Sequence, residues 1–355
     1  MRGRMMSDAV QKRWGKALAR WRGGGRSRAV AWVAGSFVVL LALLVTGCQG
    51  DRVQSSLHPA GPAAQTIATL WWVLLAVCGI YTVGTFALFF YAIFRPKQEE
   101  SPQKTGNTFI MVGGVILPFF VLLGLLIYSV QATTNLRAPD TELTIRVVGY
   151  RFWWHVEYPD YGIVDANELY IPVGQPVRLE LKSADVIHSF WVPQLAGKMD
   201  MFPDVDTELW IQADREGVYR GQCAEFCGVQ HAKMAFEVIA LPPKDFAAWV
   251  AEKQQSRPDQ ESEVFKQGHE VFMRHGCAGC HAIRDTNAVA RAGPDLTLMG
   301  NRRMLGAATV KNTRENMRDW LENPNRVKPG VLMPPTEEIS EEEIEALVDY
   351  MLSLK

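Results

Sequence analysis

The sequence predicts a multidomain membrane protein: a two-helix transmembrane hairpin, then an all-β sandwich or barrel, then an all-α domain. Three observations predict it. Two uncharged apolar runs, Thr69 to Phe94 (26 residues) and Phe109 to Gln131 (23 residues), each exceed the roughly 20 residues that cross a bilayer core. Residues 141–240 alternate in short strand-like runs broken by Pro, Gly and Asp. From Glu263 onward, apolar residues recur at helical spacings of three and four. A chain of 355 residues has room for these parts.

The N-terminus reads as an address. Residues 1–47 hold nine Lys or Arg and a single acid, Asp8. An apolar run, Ala29 to Val45, follows the basic stretch and leads into Val45-Thr46-Gly47-Cys48. A basic region, an apolar region and small residues before a cut describe a secretory signal. Cysteine directly after the small residues resembles a bacterial lipoprotein signal, which would make Cys48 the lipidated N-terminus of the mature chain. An uncleaved anchor is the other reading of the same 17 apolar residues. Without residues 1–47 the formal charge falls from -1 to -9, which argues against nucleic-acid binding.

The two spans, 69–94 and 109–131, form a hairpin after a short exported segment, 48–68. Trp71, Trp72, Tyr91 and Tyr128 suit the membrane interfaces, and Arg95, Lys97 and Lys104 place the connecting loop in the cytoplasm. Everything after Gln131 is then exported. Pro118 is expected to distort the second span, and Cys78 to be a buried small residue. Neither span holds a histidine, so neither has the imidazole that intramembrane haem requires.

In the exported part, Leu143–Val148, Val177–Leu181, Glu208–Ile211 and Phe236–Ile239 read as strands of an antiparallel sandwich or barrel spanning 132–243. Residues 244–262 are polar and read as a partly helical linker. The helical domain covers 263–355. Val264, Phe265, Gly268, Val271 and Phe272 share one face, a helix is expected at 313–322, and Ser340 with Glu343 forms a capping box before a final helix.

The string Cys223-Ala-Glu225-Phe-Cys227-Gly-Val-Gln-His231-Ala-Lys-Met234 carries the first chemistry. Two thiols, an imidazole and a thioether fall within 12 residues of one inter-strand loop, and His188 ends a strand upstream. Two thiolates and two imidazoles alone would suit zinc; a thioether favours copper. A Cys223–Cys227 disulfide is the structural alternative in an exported compartment. With Asp185 to Phe190, this loop resembles subunit II of the haem–copper oxidases over roughly residues 65–240. That resemblance implies a cupredoxin-like barrel holding a binuclear copper centre (CuA). By it, Cys223 and Cys227 bridge two coppers, His188 and His231 each cap one, and Met234 and the Glu225 carbonyl are weak outer ligands. The Glu225 side chain is the family's candidate for a magnesium site shared with subunit I.

Cys277-Ala-Gly-Cys280-His281 reads as covalent attachment of haem c, with His281 the proximal iron ligand. A redox pair or half a zinc site are the alternatives. The residues downstream resemble a class I cytochrome c domain: Gly293-Pro294-Asp295-Leu296, then Val331-Leu332-Met333-Pro334-Pro335. That family places its axial methionine in the later loop, so Met333 is the expected sixth ligand ahead of Met299, Met304 and Met317. His/Met ligation suits a carrier of electrons and closes the iron to substrates.

Subunit II with a fused cytochrome c domain resembles the caa3-type cytochrome c oxidases. The implied role is to take electrons from a cytochrome or quinol-dehydrogenase donor and pass them through haem c and CuA to subunit I. Oxygen reduction and proton pumping occur there. The implied location is a bacterial plasma membrane, with both redox modules on the outer face and other oxidase subunits as neighbours. Two departures stand out. Phe152 occupies a position where many members carry Trp, which leaves the route of electrons into the copper module in doubt. Met111 occupies one where many carry a carboxylate, so no proton role is transferred to it. The β module (132–243) has net charge -7 and the helical module (263–355) -2, which predicts docking through modest, partly apolar contacts. A subunit of another respiratory reductase, such as a nitric oxide reductase, and a membrane-anchored copper-handling module are the rival readings.

Overall fold

The computed structural model describes residues 53–94, 103–134, 136–336 and 338–355. The expected signal segment, Cys48 and most of the loop between the spans lie outside the described residues. Helix α1 (Pro62–Phe94) opens on a proline, which lacks only an N–H that the first turn leaves unpaired anyway. It starts before the expected Thr69 because its first turns rest on the β domain: Ala63, Ala64 and Ala68 are buried, and Ala64 N–H donates to Leu195 O at 3.2 Å. Cys78 lies midway along this helix, on its outer surface, where a bilayer would cover it.

The second span comprises α2 (Gln103–Met111), a π-helical turn (Val112–Ile116) and α3 (Leu117–Thr134). Leu117 N–H reaches back to Val112 O. The proline at 118 has no N–H to return to Gly114 O, and the ladder widens by one residue just before it. The distortion expected at Pro118 thus takes the form of a π turn. Pro62–Phe94 and Thr105–Thr134 are both long and apolar enough to cross a membrane.

The β domain has ten strands: β1 (Leu143–Tyr150), β2 (Trp153–Tyr158), β3 (Ile163–Ala166), β4 (Glu168–Pro172), β5 (Val177–Ser183), β6 (His188–Trp191), β7 (Met199–Met201), β8 (Thr207–Ile211), β9 (Gly217–Cys223) and β10 (Ala235–Leu241). Two five-stranded sheets form, in the orders β3-β2-β1-β5-β8 and β4-β10-β9-β6-β7. In β1, Leu143, Ile145 and Val147 turn inward while Arg146 turns outward, the alternation of a half-buried strand. Trp154, Phe190 and Phe236 fill the core, their ring centroids 4.5 to 6.0 Å apart. The expected all-antiparallel pairing is corrected in two places: β1 runs parallel to β5, and β10 parallel to β4. These partners are distant in sequence and are reached by crossing between sheets, not by hairpins.

Residues 244–262 are partly helical, as expected, and their helix packs on the β domain. Helix α4 (Pro243–Gln255) buries Phe246, Trp249 and Val250 in the β-domain core. Trp249 stacks on Tyr170 at 4.6 Å. Only the stretch from Ser256 to Ser262 connects the domains. The C-terminal domain then contains α5 (Glu263–Arg274), α6 (Arg314–Glu322), α7 (Pro324–Val327) and α8 (Glu341–Ser353). The Ser340–Glu343 capping box is present, and Ile344, Leu347, Val348 and Met351 are buried on α8. Val264, expected on the buried face of α5, is 41% exposed.

The seam between β-sandwich and C-terminal domain is partly apolar, as expected, with Leu298 buried in the β-domain cluster, but it also carries a polar set that the net charge does not reveal. Arg302 Nε donates to Asp165 Oδ1 at 2.8 Å, with both side chains almost fully buried. Glu168 Oε1 accepts from the backbone N–H groups of Arg303 (2.6 Å) and Met304 (3.1 Å), and Arg303 Nε pairs with Glu237 at 3.0 Å. Arg284 reaches the carbonyls of Gly162, Lys253 and Ser256. Acids on the β3–β4 edge therefore meet a local arginine cluster that the near-neutral domain average conceals.

Trp249→Ala should cost about 3–5 kcal/mol of stability, because the indole fills a core position and is not part of a tether; denaturant unfolding of the protein measures it. Burial, reinforced by the neighbouring Asp165, pushes Glu168 up to about 7 from 4.5. The folded chain then binds a proton there that the unfolded chain has already lost. Stability from this group is present below pH 4.5 and lost as pH rises through about 7. Glu168→Gln should flatten that slope in unfolding midpoints recorded between pH 4 and 8.

Candidate metal centre and haem-attachment site

Strand β9 ends at Cys223 and β10 begins at Ala235, so the loop between them is anchored by two central strands. Strand β6 pairs with β9 with Phe190 opposite Cys223. Because side chains alternate along a strand, His188 shares the inner face with Phe190 and lies beside Cys223. The register thereby brings a histidine 35 positions away in sequence to the loop.

The donor atoms converge. Cys223 Sγ lies 3.9 Å from Cys227 Sγ and 3.9 Å from His188 Nδ1. Cys227 Sγ lies 3.8 Å from His231 Nδ1 and 3.7 Å from Met234 Sδ. The carbonyl of Glu225 is 3.2 Å from Cys223 Sγ. All six residues singled out in the sequence are brought together, and the cysteines are free, not disulfide-bonded. His188, Cys223 and Cys227 form the one group of three candidate metal donors among the described residues, and all three are buried. The Glu225 carboxylate points elsewhere, 3.7 Å from Lys198 and partly exposed. Its main chain and side chain can thus serve different partners.

Asp185 has no role assigned by the motif, yet the structure gives it one. Its Oδ1 lies 2.8 Å from His188 Nε2, leaving Nδ1 to face the thiols. Backbone N–H groups of Arg151 and Val186 also bond this carboxylate. Burial acts against its charge, but these bonds with His188 outweigh burial and hold its pKa low. Burial likewise opposes charge on His188, and the bonds to Cys223 and Asp185 outweigh it. The two thiols share a proton: the bond between them favours a thiolate at Cys223 and pushes Cys227 up. The spacing Asp-x-x-His was the available signal for the Asp185–His188 pairing. Gly149 is required beside it, since a Cβ there would sit 2.9 Å from the His188 ring.

In the C-terminal domain a 3-10 turn, Cys277–Gly279, carries Cys277, and the backbone N–H groups of Cys280 and His281 both bond Cys277 O. Two thiols and an imidazole therefore leave one tight turn. His281 Nδ1 lies 2.8 Å from Pro294 O, which leaves Nε2 available to a metal. Burial lowers the His281 pKa and keeps the ring neutral, as a ligand must be. Met333 is partly buried against this domain's core. Met317 is a core residue of α6, and Met299 Sδ is 3.5 Å from Arg302 Nη1. Both donor sets match the chemistry of their groups: soft sulfur with imidazole for copper, and paired thiols with a neutral imidazole for haem c.

Family models match both exported modules. Residues 163–241 match the family described as cytochrome c oxidase subunit II, periplasmic domain, and residues 265–355 match cytochrome c. Cytochrome c oxidase subunit 2 of Alkalihalophilus pseudofirmus is 36% identical over 327 residues, covering 89% of this chain and 95% of the relative. That of Bacillus subtilis is 32% identical over 344 residues, covering 90% and 96%. Among solved structures, the periplasmic domain of cytochrome oxidase subunit II from Bradyrhizobium japonicum is 31% identical, covers 34% of this chain and 98% of that one, and has a TM-score of 0.33.

Asp185→Asn keeps the shape at His188 but weakens the bond that orients it. Copper retention should fall roughly ten- to a hundredfold, the usual effect of losing such a support. Competition against a copper chelator reads this directly.

Proposed function

Because the chain belongs to the cytochrome c oxidase subunit 2 family and ends in a cytochrome c domain, we propose that it admits electrons to a caa3-type cytochrome c oxidase. Haem c on Cys277, Cys280 and His281 and a binuclear copper centre on the sandwich would supply two one-electron relays. They would link a cytochrome or quinol-dehydrogenase donor to subunit I, where oxygen is reduced and protons are pumped. The observation that carries this reading is the convergence of Cys223, Cys227, His188, His231 and Met234 at 3.7 to 3.9 Å, in one chain with the Cys277–His281 turn.

The residues divide the work. Cys223 and Cys227 would hold the copper centre through their thiolates, which would spread charge over the metal. His188 and His231 would supply imidazole ligands, and Met234 and the Glu225 carbonyl would add weaker ones. Asp185 holds His188 in the tautomer that offers Nδ1. The ten-stranded sandwich keeps the donors fixed, which limits rearrangement as an electron comes and goes. Met333 would serve as the sixth haem ligand, and the Glu225 carboxylate would contribute to a magnesium site shared with subunit I. Phe226 and Val229, 77% and 83% exposed on the copper loop, give that face an apolar patch suited to a large partner. The two spans anchor the chain in a bacterial plasma membrane with both modules outside, and residues 1–47 with Cys48 act as a lipoprotein signal.

The purified oxidase complex should contain one haem c per copy of this chain and two coppers beyond those held by subunit I, with one unpaired electron shared over these two by electron spin resonance. A single copper beyond those held by subunit I, or zinc in its place, with normal haem c would sink the reading.

A further inference from the structure

The last polar contacts of the seam lie at the copper loop itself. Gln230 directly precedes His231 and is 1% exposed. Its Nε2 donates to the carbonyls of Lys328 (3.3 Å) and Pro329. Lys328 is 2% exposed, and its Nζ donates to Phe152 O at 3.1 Å. The Phe152 ring packs in turn on Gly228, the residue after Cys227: a Cβ there would be 3.1 Å from Phe152 Cζ. Gly330 has φ +89, and a Cβ on it would lie 3.3 Å from both Gln230 Nε2 and Val229 Cγ2. Only glycine meets both demands comfortably. Gly330 N–H bonds Asn325 Oδ1 at 2.9 Å, and Val331 N–H bonds Lys328 O at 3.1 Å, so the turn is stiff on its own side. Met333 lies three residues beyond Gly330.

The cost of this arrangement is the clue. Lys328 buries an ammonium with no carboxylate paired to it among the described residues. A buried cation is expensive unless something fixes it. Burial lowers its pKa to about 7. A surface tether would have left this lysine in water.

We propose that Gln230 and Lys328 are positioning residues that latch the 328–333 loop to the copper loop and give electrons a short route between the two modules. The route follows the chain from Met333 back to Lys328 and Pro329, crosses the Gln230 hydrogen bonds, and reaches His231 one residue on. The step it serves moves one electron from the haem module to the copper module. One site is oxidised by one unit and the other reduced by one, with no bond made or broken and no proton moved. This inference rests on the function proposed above.

The test uses the full chain in the purified complex, with Lys328→Met, Lys328→Arg and Gln230→Leu. Metal content, haem spectrum and the copper spin signal come first. If the unsubstituted complex lacks either centre, the proposed function fails and takes this inference with it. With both centres intact, photoreduction of the haem is followed by timing its reoxidation by copper. We expect Lys328→Met and Gln230→Leu to slow that step about tenfold or more, and Lys328→Arg to retain most of the rate. Amide hydrogen exchange at Gly330 and Val331, measured also in the metal-free protein, should quicken about tenfold in both slowed variants. If Gln230→Leu disturbs copper, Lys328→Met decides, because it lies in the other domain. An unchanged transfer rate and unchanged exchange in Lys328→Met, with both centres present, would overturn the latch while leaving the function intact.

Discussion

The register between β6 and β9 is the constraint on which the site depends. Phe190 stands opposite Cys223, and that pairing puts His188 on the inner face beside the thiols. A slip of one residue would turn His188 outward and bring Ser189 inward, since side chains alternate from face to face. The aromatic core enforces the register. Phe190 packs between Trp154 and Phe236, and neither sheet can slide without emptying that space. The metal-binding geometry is thus set by hydrophobic packing one layer beneath it. Asp185 refines the result by choosing which nitrogen of His188 faces the thiols.

Much of this was legible in the sequence because the chemistry sits in short strings. Cys223 to Met234 and Cys277 to His281 each carry their donors within a dozen residues, so spacing alone brings them near one another. The spans and the Ser340 capping box are equally local signals. What escaped was non-local. The parallel pairs β1–β5 and β10–β4 depend on crossovers that periodicity does not encode. Helix α4 was expected only as part of a linker because residues 244–262 taken together are mostly polar. Phe246, Trp249, Val250 and Lys253 nevertheless lie at spacings of three, four and seven, and all are buried. The polar part of the seam escaped for a different reason. Net charge averages a whole module, whereas docking depends on a few neighbours, here Arg302 and Arg303 against Asp165, Glu168 and Glu237.

The seam also explains what fusion alone would not. A seven-residue connection from Ser256 to Ser262 holds the domains at high effective concentration, but it does not select a pose. Buried ion pairs such as Asp165–Arg302 add little net stability over apolar packing; their clearest use is to specify one arrangement, because every misaligned one leaves a charge unpaired. One contact of this kind leaves the domain free to pivot, and two leave a hinge axis. The structure supplies three that are well separated along the chain. Residues 302–304 meet the β3–β4 edge, Arg284 meets Gly162 and the end of α4, and Lys328 with Pro329 meets Phe152 and Gln230. The third contact removes the rotation that two would leave. The one nearest the copper loop can then be short and polar, because the other two carry the docking.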